Sequence, residues 1–119
     1  AQLASHKVGG VLATPVSDTV KRVVHQTGNA SYDIAATEDR SQLWAAQTPQ
    51  MFRYGLLLEG LRQTLQQNYQ PTDESAVIEY LGHTPRVVEG SRDNIKITRL
   101  EDMAIAEAIM IYQNGQARK

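Results

Sequence analysis

"RVVEGSRDNIKITRLEDMAIAEAIMIY" (Arg86–Tyr112) holds two short β-branched runs followed by a long apolar stretch. Short β-branched runs bounded by Gly, Asp and Asn read as strands, so "RVVE" and "NIKIT" are expected to be two of them. Thr98 followed by Glu101 has capping-box spacing, and the helix they open is expected to run to about Tyr112. Strand, strand, helix in succession is the pattern of an α/β protein. The helix is apolar on more than one face, through Leu100, Met103, Ile105, Ile109, Met110 and Ile111. Leaving two such side chains in water forgoes about 3–6 kcal/mol, comparable to the whole stability of a small domain. A larger sheet, not in these 119 residues, is therefore expected to cover it.

The same pattern extends upstream. "GGVLATPV" (Gly9–Val16) reads as a buried strand after two glycines. Thr19–His25 and Tyr32–Thr37, joined by a turn containing Gly28 and Asn29, read as a hairpin; Lys21, Arg22 and Asp33 among its apolar residues make it a projecting arm spanning 17–40. Gln42–Gln47 reads as a strand, and Thr48–Pro49 as a helix start, where proline loses no hydrogen bond. Tyr54, Leu57, Leu58, Leu61 and Leu65 form that helix's apolar stripe, with an end near Asn68. "PTDESAVIEYLG" gives another helix with Thr72 as N-cap and Gly82 as its stop. The opening "AQLASHKVGG" reads like the end of a helix, and with Ala1 at the start it points to chain upstream.

Composition narrows the function. A hydrophobic content of 41% fits one small globular domain, and a net charge of -1 offers no basic surface for nucleic acid. The absence of cysteine fits a reducing compartment and removes thiolate metal sites. Without a signal sequence or a run of about 20 apolar residues, the expected location is cytoplasmic, with no membrane partner. His6, His25 and His83 have no ligand spacing, and no Walker, G-x-S-x-G or G-x-G-x-x-G motif occurs.

Two stretches carry candidate chemistry. Alternation in "NIKIT" sends Lys96 and Thr98 to one face, so an ammonium meets a helix N-terminus, which is an anion-binding arrangement. A solvent-facing lysine has the same spacing. In "EDRSQLWAAQTPQ", Arg40 stands at the foot of the arm and Thr48 at the expected helix start, able to fork onto and donate to a phosphate. Equally, Arg40 can pair with Glu38 or Asp39, and Thr48 can be only a cap.

Read in order, "GGVLATPVSDTVKR", "DRSQLWAAQTPQMF", "TDESAVIEYLG" and "VVEGSRDNIKITRLEDMAIAEAIM" resemble the second half of the methylerythritol phosphate cytidylyltransferase family. The resemblance implies a Rossmann-like α/β nucleotidyltransferase fold, of which 1–119 is the C-terminal portion, and a homodimer formed by exchange of the arm. It implies transfer of a cytidylyl group from CTP to methylerythritol phosphate, releasing pyrophosphate, in non-mevalonate isoprenoid synthesis. Mg2+ is implied on the CTP phosphates, with its ligands outside these residues. Arg40 and Lys96 match the pair that holds the substrate phosphate for attack, and Thr19, Thr48 and Thr72 match threonines of the same pocket. The family's glycine-rich triphosphate loop and D-A-A-R-P segment are absent, so this chain alone is expected to be inactive without an N-terminal half. Ribitol phosphate cytidylyltransferases share most of these motifs, and a non-catalytic dimerisation module is the reading from a different class.

Overall fold

A computed structural model describes residues 3, 5–25, 28 and 31–117. The elements are β1 (Gly9–Pro15), β2 (Lys21–His25), β3 (Tyr32–Thr37), β4 (Trp44–Phe52), α1 (Tyr54–Gln66), α2 (Glu74–Tyr80), β5 (Arg86–Glu89) and α3 (Glu101–Ala117), with a 3-10 turn at Arg40–Gln42. β1 is the middle of a mixed sheet, antiparallel to β4 and parallel to β5. Its first residues are buried, as its apolar run requires. Gly9 has φ 108°, a conformation that glycine adopts readily, and a Cβ there would overlap the Met51 carbonyl of β4. Residues 1, 2 and 4 of the expected upstream helix end, like Asn29 of the expected turn, lie outside the described residues; over residues 5–8 there is no helix. Instead, the Val8 and Gly9 N–H groups donate to His6 Nδ1 at 3.3 and 3.0 Å.

The reading of "QTPQ" as a helix start is corrected. β4 begins at Trp44 and runs on through Thr48 and Pro49, and α1 begins only at Tyr54. The register passes from Leu12↔Gln47 to Val11↔Gln50, so Thr48 and Pro49 bulge out of the pairing. A bulged position needs no ladder donor, which is how a proline sits inside this strand. "NIKIT" is also corrected: residues 94–98 form no strand, and among the described residues none pairs with them. Alternation sets which way side chains point, but the ladder partners hold a strand in place.

The two middle helices end as their sequences require. Asn68, at φ 53°, and Gly82, at φ 83°, take the left-handed position after α1 and α2. Tyr69 N–H donates to Thr64 O at 2.9 Å and His83 N–H to Ile78 O at 3.2 Å, closing both ends in the same way. The cap of α2 is Asp73 rather than Thr72: its carboxylate accepts from Ala76 N–H at 2.8 Å. A carboxylate one residue closer to the first turn, favoured there by the helix dipole, displaces the threonine. The expected stripe on α1 is met only in part: Leu57 and Leu58 are half-buried, Tyr54, Leu61 and Leu65 stay exposed, and the fully buried positions are Gly60 and Thr64, against α2. Gly60 has no side chain to hold Val77 of α2 away, so closest approach falls there.

The core is small: Val11 and Ala13 of β1, Val77 and Ile78 of α2. α3 runs further than expected, to Ala117, and none of its described residues is buried; Met110 is 62% and Ile111 73% exposed. β2 and β3 form a separate two-stranded sheet, exposed along its whole length. The radius of gyration is accordingly 18.1 Å, against about 13–14 Å for a compact domain of this length. No helix among the described residues is long and apolar enough to cross a membrane.

Candidate functional site

The loop between β5 and α3 carries Lys96 to the junction of two adjoining cavities. The first, about 520 Å³, lies between β4 and the start of α2, and Thr48, Thr72, Asp73, Glu74 and Lys96 are on its wall. The second, about 380 Å³, is bordered by Ser17, Asp18, Arg92 and the same Lys96. Their charges differ. Two carboxylates face one ammonium in the first; two cations face one carboxylate in the second. An anion is better placed on the Arg92 side, and neutral hydroxyl groups beside Thr48 and Thr72.

Three side-chain amides hold these walls together. Gln50 of β4 donates to Asp73 Oδ2 at 3.0 Å and accepts from Ser75 N–H at 2.9 Å, fixing the start of α2 against the strand. The cap role of Asp73 and this contact together leave Thr72 on the cavity wall. Asn94 Nδ2 donates to the Thr48 carbonyl at 2.6 Å, and Gln47 Nε2 donates to the carbonyls of Ser91 and Asn94 at 2.7 and 3.2 Å. None of these residues stands out in the sequence. Their signal is weak, since a glutamine on a half-exposed strand ordinarily faces water.

Of the residues expected in the site, Thr48, Thr72 and Lys96 share the first cavity. Arg40 does not line either cavity, and it pairs with neither Glu38 nor Asp39. Glu38 is taken by Arg22 at 2.5 Å, which holds its carboxyl below the ordinary range, and Asp39 accepts from Ser41 N–H at 3.0 Å. Arg40 Nη1 donates to the Ser17 carbonyl, on the border of the second cavity. One of its five donors is spent in this way. Thr19, exposed at the foot of the arm, lines neither cavity.

Two residues just ahead of α3 are tied to the helix's own carboxylate. Asp102 accepts from Thr98 N–H and Arg99 N–H, both at 2.8 Å, and from Thr98 Oγ1 at 3.2 Å. The reciprocal cap is thus made by Asp102 and not by the expected Glu101. Those N–H groups, Thr98 first, hold the Asp102 carboxyl below the ordinary carboxylate value. A depressed folded value means that its contribution is complete above the unfolded pKa and is lost as pH falls through the folded one. Protection of the Thr98 and Arg99 amides, measured against the unstructured exchange rate at each pH, is expected to fall on acidification through that range, and Asp102→Ala to lower it about tenfold at neutral pH.

Among the described residues no group of three or more His, Asp or Glu side chains could hold a metal ion.

A family model described as 2-C-methyl-D-erythritol 4-phosphate cytidylyltransferase matches residues 1–112. Proteins of that description from Burkholderia cenocepacia (strain HI2424) and Burkholderia vietnamiensis are 53% and 52% identical to this chain over 110 residues, 92% of its length. The chain spans 45% of the length of these curated relatives. Among solved structures, the Francisella tularensis 2-C-methyl-D-erythritol 4-phosphate cytidylyltransferase superposes with a TM-score of 0.77 at 35% identity, over 91% of this chain and 48% of that one. The Thermus thermophilus protein of the same name gives 0.74 at 28%, over 91% and 50%. The mixed sheet with its helices is thus part of a Rossmann-like nucleotidyltransferase fold. With the motifs around Thr48, Thr72 and Lys96 inside the matched region, the chain belongs to the 2-C-methyl-D-erythritol 4-phosphate cytidylyltransferase family.

Proposed function

We propose that this chain supplies the alcohol-phosphate side of a cytidylyltransferase that joins CTP to 2-C-methyl-D-erythritol 4-phosphate. The observation that carries the reading is that Lys96 stands on one cavity wall with Thr48 and Thr72. In the reaction an oxygen of the alcohol's phosphate attacks the α-phosphorus of CTP, a bond forms between them, and the bond to pyrophosphate breaks. No protein nucleophile is required; the task is to hold two anions together in line and offset their repulsion. Lys96 and Arg92 supply charge from the loop, and Arg40 adds its remaining donors from the foot of the arm. Thr48 and Thr72 offer hydroxyls to the alcohol. Magnesium, when bound, offsets charge on the CTP phosphates, with ligands outside this chain.

The arm is proposed to make the homodimer. Val23 and Ile34 pair across its two strands, and with Tyr32 on the same face they leave an apolar surface open to a second copy.

Pyrophosphate release from CTP tests the reading. The complete protein is expected to turn over methylerythritol phosphate at least about tenfold better than ribitol phosphate in kcat/KM, a difference of about 1.4 kcal/mol. Preference for ribitol phosphate would move the chain to the other polyol, and full activity from these 119 residues alone would remove the need for a partner half.

A further inference from the structure

The loop that bears Lys96 is held to β4 largely by one side chain. Gln47, at a paired position of β4 opposite Leu12, reaches across and donates both of its amide hydrogens, one to Ser91 O and one to Asn94 O. Asn94 returns a bond from the loop to the Thr48 carbonyl in the bulge. The glutamine's own acceptor, Oε1, is buried with no hydrogen-bond partner. A buried acceptor left unmatched costs free energy, so a residue chosen for stability alone would not be placed this way. Space for it is provided by Gly90, the first residue after β5: a Cβ there would run into Gln47 Oε1. Glutamine, glycine and asparagine thus form one device, with Lys96 two residues beyond its last bond.

We infer that Gln47 is a positioning residue, a latch that fixes the 90–98 loop to β4 and so sets where the Lys96 ammonium stands relative to Thr48 and Thr72. The inference rests on the reading of Lys96 as a phosphate ligand for its effect on catalysis, but not for its effect on the loop. Gln47 borders both cavities, but both of its amide hydrogens are committed to loop carbonyls. It acts through the two carbonyls it binds.

Gln47→Met keeps the volume and removes both donors; Gln47→Glu puts oxygen against two carbonyl oxygens. In the complete protein, both are expected to raise amide exchange at Asn94 and Ile95 about tenfold, the scale of one to two lost hydrogen bonds. These two amides report the loop because they bond within it, to Ser91 and Asp93. KM for methylerythritol phosphate is expected to rise about tenfold while KM for CTP stays within about twofold, a split that general destabilisation does not produce. Asn94→Ala should give the same pattern from the loop side. Unchanged exchange in both Gln47 variants, equal movement of the two KM values, or a failure of all three variants to fold would each overturn the latch.

The two ideas separate cleanly. If Lys96→Ala leaves turnover intact while Gln47→Met frees the loop, the phosphate reading falls and the latch stands. If Lys96→Ala abolishes turnover while the Gln47 variants leave loop exchange untouched, the latch falls and the phosphate reading stands.

Discussion

Lys96→Ala in the complete protein is expected to lower turnover several hundredfold without moving the unfolding midpoint. That drop corresponds to about 3–4 kcal/mol of transition-state stabilisation, the scale of removing one cation from beside an anion in a partly enclosed site. Stability should be untouched because Lys96 is exposed, and among the described residues its ammonium has no hydrogen-bond or ion-pair partner. Steady-state pyrophosphate release, run beside a thermal melt, measures both. Lys96→Arg separates charge from shape: guanidinium keeps the charge but not the compact ammonium, so partial recovery is expected. Unchanged turnover in Lys96→Ala would leave the arm as the working part and this loop as surface.

Ile78→Ala should do the reverse, weakening the fold by about 3 kcal/mol. Ile78 is fully buried at 0% exposure, and only Val11, Ala13 and Val77 join it as buried apolar side chains among the described residues. With so few, a cavity there has little beside it that can collapse to fill the space. Against a total of about 5–15 kcal/mol for a typical domain, the loss is severe. Leu65→Ala on α1, where the side chain is 77% exposed, is expected to change stability by less than about 0.5 kcal/mol. Urea midpoints at constant slope compare the two; equal losses would mean that α1 buries the face its leucines mark.

Much of the fold is legible in short stretches because the cause is local. The run at Gly9, the hairpin, and the helix ends at Asn68 and Gly82 depend on residues a few positions apart. The failures have distant or competing causes. Pro49 looks the same at a first helical turn as in a bulge, and the choice is made by β1, whose Val11 and Leu12 pair on either side of it. Thr72 loses the cap to Asp73, and Glu101 to Asp102; in each case two chemically suitable neighbours compete and their position relative to the first turn decides. Residues 94–98 alternate like a strand but find no neighbour to pair with. At the site, Lys96, Thr48 and Thr72 stand out because charge and hydroxyl groups announce chemistry. Gln47 and Asn94 do not, since their work is bonding to carbonyls 44 to 47 positions away.

The two legs of the hairpin are tied to each other where they leave the body: Val16 N–H to Leu43 O at 3.0 Å, Glu38 N–H to Val20 O at 2.9 Å, and the Arg40 guanidinium to Ser17 O. Sites that share no contact contribute independently to free energy. Substitutions along the two strands can therefore accumulate under whatever selects the mating surface, while the pocket-bearing body drifts at its own pace. Coevolution between the two is confined to the handful of positions at that seam.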